Sequence, residues 1–287
     1  TMDPDTDPRS LAHEIRPPRL DRAAPPVPAR GAAPDAPEAY DPRAFPPFAV
    51  TVDVVVMAVV EDRLRLALVR RGERPFAGEW ALPGGFKRPD ETLDEAAARE
   101  LGEESGATVP RLAQFGAYGD PDRDPRMDVV SVGYYATVPD PMRLRAGTDA
   151  ADARWAPVED VLDGALPLAF DHARIVADAR ERLADDLERT DAVLSLLPAE
   201  FTVSRLRRTY EAVWRLDLPP DERDGFALDK RNLRRSLAAD GDAFLAPTGR
   251  STSDLPDSSR PGRPAAMQRP TSAWRDGSPV RRPRRRS

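Results

Sequence analysis

The sequence predicts an α/β domain with helices on both faces of a sheet, followed by a smaller helical segment. The almost continuous β-branched run Val50–Val60 indicates a strand that is buried on both faces. After a turn at Glu61 and Asp62, the alternating residues Leu64–Val69 predict the second strand of a hairpin. The apolar residues of Thr92–Glu104 recur at helical spacing, so we expect a helix there. Strands and helices mixed within about 140 residues are typical of α/β layers.

Four further elements complete the predicted domain. The glycine and proline residues of Gly78–Phe86 predict a loop. Val129–Val138 is an expected strand, and Ala153–Ala156 is a shorter one. Asp171–Leu187 is an expected long helix with Asp171 as its N-cap.

Composition divides the chain into four parts. Residues 1–46 are rich in Pro, Ala, Asp and Arg and contain few large apolar residues, so we expect a disordered Pro-rich tail. Residues 47–197 hold the α/β domain together with a linker helix. Residues 198–268 form the smaller domain, and residues 269–287 are an expected disordered basic tail.

Composition also restricts the chemistry that a site can use. Cysteine is absent, which excludes disulfides and thiolate metal sites. His13 and His172 are the only histidines, so a histidine-rich zinc site is excluded as well. A metal ion is therefore expected on carboxylate and carbonyl oxygens, which favours Mg²⁺ or Mn²⁺.

Hydropathy gives no sign of a membrane segment. No apolar run reaches the length of about 18 residues that a spanning helix needs. The first residues lack a basic start followed by an apolar core, which argues against a secretory signal. We therefore expect a cytoplasmic protein that makes no contact with a membrane.

Charge is distributed unevenly along the chain. The formal net charge is −6, yet residues 199–287 contain 19 Lys and Arg against 12 Asp and Glu. An acidic front and a basic rear suggest two parts with different partners. Only Lys87 and Lys230 are lysines, so coding bias towards arginine reduces the information in this basic charge.

The segment Gly85–Ala107 carries glycine, arginine and glutamate at fixed offsets. A helix turns 100° per residue, so Glu100 and Glu104 stack one turn apart with Glu103 beside them. Three carboxylates along one edge repel one another unless a cation lies between them. The pattern therefore predicts a divalent metal held against a diphosphate. The fixed positions are Gly85, Glu91, Arg99, Glu100, Glu103, Glu104 and Gly106.

Residues around these positions support the same interpretation. Thr92 and Glu95 have the spacing of a capping box at the start of the helix. Gly84 lets the preceding backbone come close to a metal ion or a phosphate. Arg99 is placed to pair with Glu91 and brace the loop against the helix.

These positions match the Nudix box, and the chain resembles a Nudix protein. The resemblance implies an α/β/α sandwich in which the box forms a loop, a helix and a loop. It also implies hydrolysis of a nucleoside diphosphate linked to another group, with Glu100, Glu103 and Glu104 as ligands of Mg²⁺. A backbone carbonyl near Gly84 would assist them. The family places its general base variably, so the resemblance assigns no residue to that role.

The stretch Arg70–Phe86 resembles Nudix proteins that act on ADP-ribose or sense it, and so does Asp122–Arg126. Arginine binds phosphates bidentately, so Arg123 and Arg126 are expected to contact phosphate or ribose. The alternative is a charged turn in which both arginines form their own salt bridges. His172 is expected to pack or hydrogen-bond at a helix start rather than to act as a catalyst. The expected substrate-binding residues are Trp80, Gly84, Gly85, Arg123 and Arg126.

The C-terminal part resembles the winged helix of Nudix-related transcriptional regulators of NAD metabolism, on the residues Phe201–Val213 and Leu228–Leu237. We expect helices over Val203–Trp214 and Lys230–Asp240, the second of which would enter a DNA major groove. The alternative is a small helical domain with a charged outer face. The connection Leu216–Ala227 is longer and more acidic than in the family. The expected DNA-binding residues are Lys230, Arg231, Asn232, Arg234 and Arg235.

Two functions follow from these resemblances. The first is an ADP-ribose-sensing regulator that binds double-stranded operator DNA and retains hydrolysis, and a homodimer is expected because a two-fold protein suits a palindromic site. The second is an ADP-ribose pyrophosphatase whose C-terminal module does not bind DNA. A further hypothesis, an enzyme that removes oxidised nucleotides, fits the box but leaves the C-terminal third of the chain without a role.

Overall fold

A computed structural model defines most of the chain from Pro47 to Leu233 and two short strands beyond it. The two predicted tails, residues 1–46 and 269–287, lie outside these residues and stay predictions. The defined residues are 47–106, 109, 112–144, 150–233, 246–247 and 266–268.

A mixed sheet forms the centre of the α/β domain. Its long strands pair in the order β2-β1-β6, with β1 antiparallel to β2 and parallel to β6. Glu61 and Asp62 join the first two strands with φ angles of 51° and 61°, as a two-residue hairpin turn requires. The strands are β1 (Ala49–Val60), β2 (Arg63–Arg71), β3 (Trp80–Ala81), β4 (Gly84–Phe86), β5 (Ala113–Tyr118), β6 (Val129–Thr137) and β7 (Ala150–Pro157).

Helices cover both faces of this sheet. Helix α1 (Leu93–Ser105) packs its buried alanines and Leu101 against one face of β1. The short helix α2 (Val158–Leu162) and the long helix α3 (His172–Arg189) share the core on the other face. Because successive residues of a strand point to opposite faces, a continuous valine run in β1 is buried on both. The predicted α/β/α sandwich is confirmed.

Some predicted elements differ in detail. The predicted loop Gly78–Phe86 contains the two short strands β3 and β4, which pair with β2 and β1 respectively. Strand β5 was not expected at all. Thr92 caps α1 and forms the predicted capping box with Glu95. Asp171 precedes α3 as expected, but its side chain does not cap the helix, because it binds Arg123 instead.

The C-terminal part begins with β8 (Glu200–Thr202), which the sequence did not predict, and α4 (Val203–Trp214), which has the predicted bounds. Strand β8 joins β9 (Ala246–Pro247) and β10 (Ala266–Gln268) in a separate antiparallel sheet of order β8-β10-β9. Helix α4 follows β8 directly, and the paired strands β9 and β10 come later in the chain.

Helix α4 packs into the core of the α/β domain. Leu206, Tyr210, Val213 and Trp214 are buried together with the residues of α3. The Trp214 indole N–H donates to the Ala184 carbonyl at 3.4 Å. The core is therefore continuous across residues 197 and 198, where the sequence predicts a domain boundary.

A further helix begins at Lys230, as predicted. The Asp229 carboxylate accepts from the Arg231 and Asn232 N–H groups at 2.9 and 2.7 Å, which makes Asp229 its N-cap. Arg234 and Arg235 lie outside the residues that the structure defines. Within the described residues, no helix is long and apolar enough to cross a membrane.

Candidate functional site

Two glycines bring the β3–β4 loop against helix α1. The Gly84 N–H donates to Glu104 Oε2 at 2.9 Å. A Cβ atom on Gly84 would lie 2.2 Å from the Val52 carbonyl oxygen, and one on Gly85 would lie 2.6 Å from Glu100 Oε1. The approach at Gly84 is possible only without a side chain, whereas a side chain at Gly85 would require the Glu100 carboxylate to move.

Arg99 is the central cation of the site. It forms the predicted pair with Glu91, through contacts of 2.6 and 2.9 Å, and it donates to the Phe86 carbonyl at 3.1 Å. It also lies 2.6 Å from Glu100 Oε1 and 3.1 Å from Glu103 Oε2. The hydrogen bonds from Arg99 lower the pKa of Glu91 to about 2. Arg99 therefore joins the start of the box to the glutamates at its end.

The glutamates of α1 differ in environment. Glu100 is buried and Glu104 is half-buried, whereas the Glu103 side chain is 50% exposed. Burial raises the pKa of Glu104 to about 7, and the nearby Glu100 and Asp53 add to the effect, although the Gly84 N–H opposes it. Burial also raises the pKa of Glu100. A negative charge on Glu104 is thus poorly compensated.

The three predicted metal ligands are held separately. Across the defined ranges, no three acidic or histidine side chains are arranged to hold a metal ion. The reason is that Arg99 binds Glu100 and Glu103, while the Gly84 N–H binds Glu104. The donor set still fits a hard cation, because it consists of carboxylate oxygens and the carboxylate of Glu104 has no salt bridge to a described residue.

A buried polar cluster lies beneath the β3–β4 loop, around Asp53 of β1. The Ser131 hydroxyl donates to Asp53, and the Arg123 guanidinium lies 3.6 Å from it. The Leu82 N–H donates to Nδ1 of His172 at 2.9 Å, and Nε2 lies 3.4 Å from Asp53 Oδ1. Burial lowers the pKa of His172, so the ring is neutral with its proton on Nε2, facing Asp53. His172 is the hydrogen-bonding residue that the sequence predicts.

The two arginines predicted to contact substrate are engaged by acidic neighbours. Arg123 binds Asp171 bidentately at 3.0 and 2.6 Å, and its side chain is only 5% exposed. Arg126 binds Asp124 at 3.0 and 2.7 Å, but 42% of its side chain is exposed. The salt bridges of the alternative interpretation are therefore present, and only Arg126 offers a substantial free surface.

Two guanidinium groups stack on the aromatic ring of Phe170. The Cζ atoms of Arg71 and Arg126 lie 4.8 and 5.9 Å from its centroid. Arg126 also lies 5.3 Å from the ring of Phe86, which is 42% exposed. Burial lowers the pKa of Arg71, and the neighbouring charge of Arg126 contributes, although nearby carboxylates, above all that of Glu104, oppose the shift. This group combines aromatic faces with positive charge.

Most of these groups line one cavity of about 540 Å³. Two predicted residues lie off its wall: Glu91 is held behind it by Arg99, and Trp80 packs against the core with Arg154 stacked 4.2 Å from its ring. The predicted residues that line it are Gly84, Gly85, Arg99, Glu100, Glu103, Glu104, Arg123 and Arg126.

The sequence did not single out three residues on the cavity wall. Asp53 had a signal, since it is the one charged residue within an otherwise apolar strand. Arg71 lies within the stretch Arg70–Phe86 and Phe170 directly precedes the expected helix Asp171–Leu187, but neither residue has a signal of its own in the sequence. They meet through tertiary contacts, which sequence spacing does not encode.

The described members of the predicted DNA-binding set lie apart from the cavity walls. Lys230, Arg231 and Asn232 form the exposed first turn of the helix that Asp229 caps. Their side chains are free to approach a partner.

Comparison with known proteins gives consistent matches. The family model described as the NUDIX domain matches residues 49–179. The ADPR responsive transcriptional repressor NtrR of Acinetobacter baylyi is 31% identical over 204 residues, which are 70% of this chain and 77% of the repressor. The ADP-ribose pyrophosphatase of Methanocaldococcus jannaschii is 39% identical over 126 residues, 44% of this chain and 71% of that enzyme.

A solved structure resembles the chain beyond the matched domain. The crystal structure of Shewanella oneidensis NrtR complexed with a 27mer DNA has a TM-score of 0.61 and 29% sequence identity. The match covers 77% of this chain and 92% of that one, so it includes C-terminal residues.

Proposed function

Because the chain belongs to the Nudix family, we propose that it is an ADP-ribose-responsive DNA-binding regulator that also hydrolyses ADP-ribose. One observation carries this proposal: an intact Nudix box and a basic C-terminal module occur in one chain. The similarity to the Acinetobacter repressor and to the Shewanella NrtR structure extends over both parts. A plain hydrolase would leave the C-terminal module without a role.

Nudix hydrolases generally use divalent metal ions, and we assign Mg²⁺ or Mn²⁺ to Glu100, Glu103 and Glu104. When bound, the ion neutralises the diphosphate and lowers the pKa of an attacking water. Arg99 fixes the positions of Glu100 and Glu103, and the Gly84 N–H orients Glu104. The chain thus holds its carboxylates in place before ligand binds.

The substrate site is the cavity beside these glutamates. Gly84 and Gly85 allow a phosphate to approach the backbone, and Arg126 offers its exposed guanidinium face. Arg123 acts through Asp53 and Asp171, which it binds, and so supports the wall from behind. Trp80 packs away from the cavity and so lies outside the substrate-contacting set.

The C-terminal module is assigned as a winged helix-turn-helix domain. Support comes from the element order: strand β8, helix α4, the helix from Lys230, and the paired strands β9 and β10. Lys230, Arg231 and Asn232 are exposed at the start of the second helix, where arginine and asparagine suit base edges. Arg234 and Arg235 would extend this surface. A homodimer on a palindromic operator, in the cytoplasm, completes the proposal.

A mobility-shift assay with DNA from upstream of the gene tests the regulatory part. We expect a salt-sensitive complex whose affinity changes when ADP-ribose is added. The double variant Lys230→Ala/Arg231→Ala should bind at least about tenfold more weakly, with a shallower salt dependence. Wild-type protein that never shifts this DNA, yet hydrolyses ADP-ribose with Mg²⁺, would instead establish the hydrolase without DNA binding.

A further inference from the structure

Two arginines share one face of the cavity although their charges repel. Arg71 and Arg126 both stack on Phe170, with Cζ-to-centroid distances of 4.8 and 5.9 Å. An aromatic face attracts a cation, but it cannot neutralise two of them. This arrangement is stable only if other negative charge compensates for it.

Only one of the two arginines is bound directly by a carboxylate. Arg126 is bound bidentately by Asp124. Arg71 donates from Nε to the Pro75 carbonyl at 2.8 Å, and it forms no ion pair with any residue of the defined ranges. A guanidinium has five N–H donors, so the terminal nitrogens of Arg71 remain available. A half-buried guanidinium without a salt bridge to the described residues therefore faces the ligand cavity. The carboxylates of Glu104, Asp124 and Asp53 act on its charge from a distance, but none of them binds it.

The backbone around Arg71 fixes this position. The pairing of β2 with β7 shifts register between Arg70 and Arg71, and such a bulge redirects a side chain. The Arg71 N–H donates to the Glu79 carbonyl at 2.9 Å, and its own carbonyl accepts from Gly78 at 2.8 Å. Residues 72–78 therefore form a closed loop, and Arg71 lies at the base of it.

We propose that Arg71, together with Arg126, is a phosphate-binding site that holds the nucleoside diphosphate without a metal ion. This inference rests on the proposed function, and it separates ligand recognition from hydrolysis. The arginines recognise the ligand, and the glutamates with their metal cleave it. A planar guanidinium binds two phosphate oxygens at once, and the bound phosphate supplies the anion that Arg71 lacks.

The consequence is that sensing does not require turnover. Ligand occupancy depends on Arg71, so it persists when the metal is removed. Loss of Glu104 abolishes cleavage but leaves the arginine site intact. A purely structural Arg71, which only braces the loop through Pro75, would affect thermal stability and not ligand affinity.

Calorimetric titration of the full chain with ADP-ribose in EDTA tests this inference. Arg71→Gln should weaken binding at least about tenfold, as loss of a charged hydrogen-bonding group predicts. Arg71→Lys should be intermediate, because an ammonium group keeps the charge but not the planar fork. Arg189→Gln is the matched control, because this substitution removes the same charge and Arg189 is exposed at the far end of α3. Circular dichroism verifies that each variant is folded.

The outcomes separate this inference from the proposed function. ADP and inorganic pyrophosphate are titrated in parallel. If the wild type binds these diphosphates through Arg71 but does not bind ADP-ribose, the arginine site stands and the assigned ligand is wrong. Unchanged ADP-ribose affinity in Arg71→Gln, or a wild type that binds no diphosphate in EDTA, overturns the inference. If Arg71→Gln does not fold, Arg71→Lys decides, and wild-type affinity in that variant overturns it as well.

Discussion

Glutamates of the same box differ in pKa because each has a different neighbour. The hydrogen bonds from Arg99 lower the pKa of Glu91 to about 2, so Glu91 is a permanent anion that braces the loop. Partial burial raises the pKa of Glu104 to about 7. Glu91 thus has a structural role, whereas Glu104 readily binds a cation or a proton.

Glu104→Gln tests this difference. A carboxyl whose pKa rises from 4.5 to about 7 on folding loses its stabilising contribution as pH rises through that interval. At pH 8 the wild type in EDTA therefore has a lower free energy of unfolding than the variant, by up to about 3 kcal/mol. Metal-dependent hydrolysis should fall by at least about a hundredfold. Thermal unfolding at pH 5 and pH 8, with an ADP-ribose hydrolysis assay, measures both effects.

Equal pH dependence of stability in the wild type and Glu104→Gln would contradict this assignment. Glu103→Gln is the comparison variant, because the Glu103 side chain is half exposed. It should leave the metal-free stability at pH 8 nearly unchanged.

Spacing in the sequence predicts local pairs and fails for distant ones. The contact of Arg99 with Glu91 follows from loop and helix geometry within one short segment. The contacts of Arg71 and Arg126 with Phe170 join three separate parts of the chain. Only the folded sheet brings those parts together.

At the scale of elements, the site depends on how closely β4 and α1 approach β1. Gly84 pairs with Asp53, and Gly85 pairs with Val52. A Cβ atom on Gly84 would collide with the Val52 backbone carbonyl, whereas one on Gly85 would meet only the Glu100 carboxylate. A side chain can move aside, but the backbone of a central strand cannot.

The two glycines should therefore respond differently to alanine. Gly84→Ala should destabilise the fold by several kcal/mol, about the upper range for single substitutions. Gly85→Ala should displace Glu100 and reduce metal-dependent hydrolysis with a smaller loss of stability. Gly102→Ala is the control: nothing lies within 4 Å of its Cβ position in α1, so it should stabilise by about 1 kcal/mol or less. Denaturant unfolding measures all three, and a Gly84→Ala variant as stable as Gly85→Ala would refute the argument.

Elements with a clear pattern of apolar residues can be predicted from the sequence, whereas short edge strands cannot. The valine run of β1 and the amphipathic helices α1 and α3 have bounds within a few residues of those expected. Strand β5 contains Gln114 and Gly116, which weaken any strand signal. Strands β3 and β4 have two and three residues, so only their pairing with β2 and β1 defines them as strands.

At the scale of the whole molecule, helix α3 connects the ligand cavity with the C-terminal part. His172 at its start lines the cavity, and Ala184 near its end accepts a hydrogen bond from Trp214 of α4. An ion pair adds to this contact, since Arg180 of α3 binds Asp217, and a second pair joins Asp163, just after α2, to Arg223. Composition alone predicts a domain boundary before α4. The many charged residues on its exposed surface make the helix look separate, although its apolar face is buried in the core.

Trp214→Ala tests whether α4 belongs to the core of the α/β domain. The indole is 1% exposed and packs 4.7 Å from the ring of Tyr210, so its removal leaves a large cavity. We expect a loss of about 3–5 kcal/mol in the free energy of unfolding, and one cooperative transition that includes the hydrolase domain. Lys230→Ala, at an exposed position, should stay within about 0.5 kcal/mol of the wild type. If Trp214→Ala instead lowered a separate transition and left hydrolysis at its wild-type melting temperature, α4 would belong to an independent C-terminal domain, and α3 would not join ligand binding to the DNA-binding module through a shared core.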